Sequence, residues 1–81
     1  MKISSGKTIT FKNAIGTHSS GFTHVSRLYV DGLLVSTKVI KYYNRTWEAY
    51  QFKTSMTQAV EQSQLLQDEK DEIIKLLEAL E

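Results

Sequence analysis

Hydrophobic and polar residues alternate along the front of the chain and recur at helical spacing behind it. In residues 7–12, KTITFK, Ile9 and Phe11 alternate with Thr8, Thr10 and Lys12, which predicts a short strand with one apolar face. Residues 13–21, NAIGTHSSG, are small and polar with two Gly and read as a loop. Residues 22–30 (FTHVSRLYV) and 33–43 (LLVSTKVIKYY) are β-rich and flank Asp31-Gly32. Asp-Gly between two such runs is a strong hairpin signal, because a type I′ turn needs positive φ at both central residues.

A two-residue turn fixes the register. It pairs Val30 with Leu33, Leu28 with Val35, Ser26 with Thr37 and His24 with Val39. One face then carries Phe22, Leu28, Val30, Leu33, Val35 and Val39 and is assigned to the core. The other mixes Val25, Tyr29, Leu34, Ile40 and Tyr42 with Arg27, Ser36 and Lys38, a face that something should cover.

After Asn44 the period changes. Thr46 is a candidate N-cap, with Glu48 near the positive end of a helix. Ala49, Phe52, Met56, Ala59, Val60, Ser63 and Leu66 then recur at spacings of three and four. A strand through Glu48, Tyr50 and Phe52 competes, so residues 46–53 stay open between helix and strand. Residues 67–72, QDEKDE, form a polar interlude with Asp68 as a possible cap. Ile73, Ile74, Leu76, Leu77 and Leu80 make an apolar stripe on a second helix or a helix extension. The expected fold is α+β: a small antiparallel sheet of about three strands followed by one or two C-terminal helices. Residues 1–81 form one domain, β-rich over 1–45 and helical over 46–81.

Size sharpens this picture. A chain of 81 residues and 9.3 kDa builds a thin core. Disulfides are excluded, because the chain has no Cys. Self-association is the remaining support. The expectation is a homodimer with Ile73, Ile74, Leu77 and Leu80 at the subunit interface, unless the C-terminal helix packs in cis. Charge supports either arrangement. Residues 1–60 carry eight cations against two acids, a net +6, and residues 61–81 carry two Lys against seven acids, a net −5. No apolar run exceeds three residues, so no segment reads as a membrane span. MKISSGKT has no apolar stretch of a secretory signal, and the expected location is the cytoplasm.

Candidate chemistry is sparse. His18 and His24 lie six apart with no carboxylate before Asp31, which points to ordinary polar roles and no metal. Gly6-Lys7-Thr8 echoes the end of a phosphate-binding loop, but the required earlier Gly is Met1. No convergent set of acid, base and nucleophile stands out, so neither enzymatic activity nor a cofactor is expected. The concentrated region is residues 38–53, which holds the only Trp and three of the four Tyr, with four cations against one acid. Trp47, Tyr50 and Phe52 suit a core where strand meets helix. Aromatics with Arg also make interface hot spots and stacking surfaces for single-stranded nucleic acid. Tyr29, Lys38, Lys41, Tyr42, Asn44, Arg45 and Tyr50 are the candidate partner-binding residues.

The run Tyr42-Tyr43-Asn44-Arg45-Thr46-Trp47-Glu48, with Tyr50 and Phe52 after it, resembles a Y-x-N-R-T-W-E-x-[YF]-x-[YF] pattern of short phage and prophage proteins of Gram-positive bacteria. Tyr29-Val30-Asp31-Gly32 is similar to an upstream hairpin in them. The resemblance spans roughly residues 28–60 and carries over no catalytic or binding residue. It implies a phage-type protein acting inside a bacterial host. The expected function is binding, and inhibition or modulation, of a host protein, with an immune nuclease as the sharper expectation. The alternative is a small single-stranded nucleic-acid binder using a basic aromatic sheet face.

Overall fold

The structure is a computed structural model. It describes residues 1–19, 21–42 and 50–80, and of residues 18, 42, 50, 51 and 52 the backbone alone. Three antiparallel strands, β1 (Ile9–His18), β2 (Gly21–Val30) and β3 (Leu33–Tyr42), lie in the order β1-β2-β3. Two helices follow, α1 (Tyr50–Gln62) and α2 (Gln67–Glu78). This is the α+β arrangement that the sequence predicts.

The β2–β3 turn forms as its chemistry requires. Asp31 and Gly32 have φ of 51° and 81°, the left-handed pair of a two-residue hairpin. Asp31 also anchors the preceding segment. Its N–H donates to the Thr8 carbonyl at 2.8 Å, and its Oδ1 accepts from the Thr8 N–H at 2.9 Å.

Two expectations about the sheet are corrected. Residues 13–18 are strand, where the sequence reads as loop, and β1 pairs with β2 over ten consecutive positions from Ile9–Val30 to His18–Gly21. Backbone pairing needs no apolar side chain, so a small polar segment joins the ladder once β2 lies beside it. The second correction is the register of β3. Val30 pairs with Leu33 and Tyr29 with Leu34, but Leu28 pairs with Ser36. Val35 is therefore an extra residue, a β-bulge, and every later residue of β3 changes face. Ser26 faces Lys38 and His24 faces Ile40, while Val39 moves to the opposite side beside Val25.

The core lies on one face of the sheet, near the β2–β3 turn. Ile9, Leu28 and Val30 pack there with Ile3, with Met56, Ala59 and Val60 of α1, and with Ile73 and Leu77 of α2. The predicted α1 stripe holds at Met56, Ala59, Val60 and Ser63, all buried. It ends at Leu66, 72% exposed, because the chain turns between the helices there. The polar interlude is the first half of α2, and Leu66 rather than Asp68 occupies its N-cap.

The proposed dimer residues are used in cis. Ile73 and Leu77 are fully buried in the chain's own core, with Ile74 and Leu80 partly buried against it. An ion pair and a lysine on backbone carbonyls contribute to this docking. Lys7 pairs with Glu69 at 3.0 Å, and Lys53 Nζ donates to the carbonyls of Glu78, at 3.3 Å, and Leu80. The helices cover the Leu28–Val30 face of the sheet, and no described element covers the Tyr29 face.

Candidate functional site

The face of the sheet turned away from the helices is built by register. Lys12 lies opposite Arg27, Thr10 opposite Tyr29, and Ala14 opposite Val25. On the other flank Leu34 lies opposite Tyr29, Thr37 opposite Arg27, Val39 opposite Val25, and Lys41 opposite Thr23. Side chains alternate along each strand, so these residues share one face. The opposite face of β2 shows the contrast: Phe22, His24, Ser26, Leu28 and Val30 are all buried. No described residue of the open face is buried, and Val39 and Leu34 are each 51% exposed.

Electrostatics set this face apart. It carries Lys12, Arg27 and Lys41 and, among the described residues, no acid. Lys12 and Arg27 stand directly opposite each other across β1 and β2, a like-charge pairing that costs stability in a sheet. Lys12 partly relieves it by placing its Nζ 4.9 Å from the centroid of the Tyr29 ring, within cation–π range. The ion pair between Lys7 and Glu69 lies elsewhere, against α2.

The structure sorts the candidate residues. Tyr29 and Lys41 share the open face but stand toward opposite ends of it, Tyr29 opposite Leu34 and Lys41 opposite Thr23. Lys38 is separated from them, because the bulge at Val35 turns it to the helix side, opposite buried Ser26. Tyr42 ends β3 opposite Phe22, and Tyr50 begins α1. Asn44 and Arg45 lie outside the described residues, as do Tyr43, Thr46, Trp47 and Glu48. Sequence reasoning missed Lys12, and it put Arg27 on a mixed face without choosing it. What brings them together is the β1–β2 register, since Ile9 opposite Val30 places Lys12 opposite Arg27.

Two polar clusters occupy the helix side. Asn13 Oδ1 accepts from His24 Nε2 at 3.0 Å and from Ser26 Oγ at 3.2 Å. His24 is fully buried, and burial lowers its pKa below the usual imidazole value, favouring the neutral ring. At the start of α2, Glu69 accepts from Lys7 Nζ, Ser5 Oγ and the Leu66 N–H. The Lys7 and Ser5 bonds are the main reason its pKa falls below the usual carboxylate value. Glu72 accepts from the Ser4 N–H at 2.8 Å and its hydroxyl at 2.6 Å. These carboxylates are engaged in holding residues 4–7 onto α2. Among the described residues no cluster of three His, Asp or Glu has metal-binding geometry, and no helix is long and apolar enough to cross a membrane.

Among the described residues the open sheet face is a broad, basic, partly apolar surface. No protein-family model, curated protein or solved structure matches this chain.

Proposed function

We propose that this is a non-enzymatic binding protein whose open sheet face engages an acidic surface of another protein. The supporting observation is the opposition of Lys12 and Arg27 on a face with no described acid. A fold that only needed to be stable gains nothing from two opposed cations, whereas an acidic partner would neutralise both. Val25, Val39 and Leu34 supply the apolar contact of a protein interface. The resemblance of residues 42–52 to short phage proteins supports a partner inside the bacterial host, in its cytoplasm. Inhibition of a host immune nuclease is the sharper form of this reading.

A single-stranded nucleic-acid binder would need a row of stacking aromatics, and Tyr29 is the one aromatic among the described residues of this face. Capture from host lysate, with and without nuclease, separates the two readings. A protein retained after nuclease, and lost with Arg27→Glu and Lys41→Glu, supports the proposal. A complex destroyed by nuclease, whose affinity falls steeply and linearly in log–log with salt, supports nucleic acid instead.

A further inference from the structure

β1 is an edge strand, and among the described residues its outer edge is open beyond Ile9. The direction of its backbone groups follows from two contacts. Ile9 exchanges hydrogen bonds with Met1 on the side away from β2, at 2.7 and 3.2 Å. Thr8 meets Asp31 on the β2 side. Groups alternate along an antiparallel strand, so Phe11, Asn13, Ile15 and Thr17 aim their N–H and C=O outward. Beyond Ile9 no described segment pairs with that edge.

Edges are normally protected by a bulge, a Pro, charges or a covering element. β3 has two of these: the bulge at Val35, and Gln62 of α1, whose Nε2 donates to the Thr37 carbonyl at 2.5 Å. β1 has no bulge against β2 and no Pro, and α1 packs on β2 and β3. Lys12 is the one residue of β1 with a full charge.

We propose that this edge pairs with the same edge of a second copy, antiparallel, about a two-fold axis through Ala14. That register joins Asn13 to Ile15 of the partner subunit and Phe11 to Thr17 of the partner subunit, so all four outward-facing residues find partners. Ala14 meets its own copy in a closely spaced pair, where a small side chain fits. Lys12 meets Gly16 of the partner subunit, which has no side chain and nothing within 4 Å of where a Cβ would stand. No like charges are opposed. Ile15, 51% exposed in the single chain, gains Ile15 of the partner subunit as a diagonal neighbour. The axis stands perpendicular to the sheet. The product is one six-stranded sheet, with all four helices on one side and two open basic faces side by side on the other. The pairing stands independently of the binding role proposed above.

Light scattering from micromolar to millimolar concentration reads the assembly directly. The expected mass rises to twice 9.3 kDa. Ile15→Pro removes an outward N–H while leaving the β1–β2 ladder intact, and Ala14→Asp sets two carboxylates together at the axis. Each is expected to raise the dimer dissociation constant about tenfold or more, with a native circular-dichroism spectrum. In the wild-type dimer the amides of Asn13, Ile15 and Thr17 are expected to resist hydrogen exchange. A mass that stays at one chain at millimolar concentration would overturn the proposal. So would a dimer in which those amides exchange like free peptide, whatever the variants do.

Discussion

Ser36 Oγ donates a buried hydrogen bond of 2.6 Å to the carbonyl of Ala59, joining β3 to α1 across 23 positions of sequence. The Ser36 oxygen also accepts from Gln62 Nε2 at 3.3 Å. Ser36 reaches α1 only because Val35 is bulged out. Without the bulge Val35 would face the helices, and Ser36 would face solvent.

Ser36→Ala removes both bonds without adding bulk. It is expected to destabilise the fold by about 1–2 kcal/mol, the net value of a buried hydrogen bond with some cost for the group left behind. The midpoint of urea unfolding measures this, and an unchanged midpoint would show that the contact contributes nothing.

The helices hold the sheet through a few fully buried side chains. Leu77→Ala and Ile73→Ala are each expected to cost about 2–5 kcal/mol, the range for emptying a well-packed aliphatic site. Leu66→Ala, at a residue 72% exposed, is expected to cost less than about 0.5 kcal/mol. Equal effects at positions 66 and 77 in a denaturant series would contradict the cis packing of α2.

Acid should destabilise the protein in two stages. His24 has a folded-state pKa below its ordinary 6.5. As pH falls through 6.5 the unfolded chain takes up a proton that the folded chain refuses, and stability drops until the folded pKa is reached. Glu69 also has a lowered pKa, against an ordinary 4.5. Its contribution is present above 4.5 and is lost as pH falls through the folded value. Urea midpoints measured against pH should show both slopes. His24→Gln should flatten the first, and Glu69→Gln the second.

Gly32 has φ of 81° at the second turn position. Gly32→Val is expected to cost about 1–3 kcal/mol, because a β-branched residue resists that conformation. Open space surrounds the position, so the cost is conformational and not a clash. Gly32→Asn, which tolerates positive φ, should recover most of the loss in thermal melts.

The local signals in this sequence were sufficient for the elements that depend on local chemistry. Asp31-Gly32 specified its turn because few residues accept positive φ twice in succession. Ala59, Val60, Ile73 and Leu77 showed their buried sides through helical spacing, and the front–tail charge asymmetry anticipated Lys7 against Glu69. Tertiary structure decided the rest. Leu33, Leu34 and Val35 are all apolar, so alternation could not show which residue the bulge would expel, and that choice reversed the faces of Lys38 and Val39. Residues 13–18 looked like a loop because their side chains carry no strand pattern; they became strand through backbone pairing with a partner distant in sequence. The β1–β2 register put Lys12 opposite Arg27 and, among the described residues, left the outer edge of β1 open beyond Ile9. The face and the edge both arise from which strands lie side by side, a non-local outcome that no window of neighbouring residues contains.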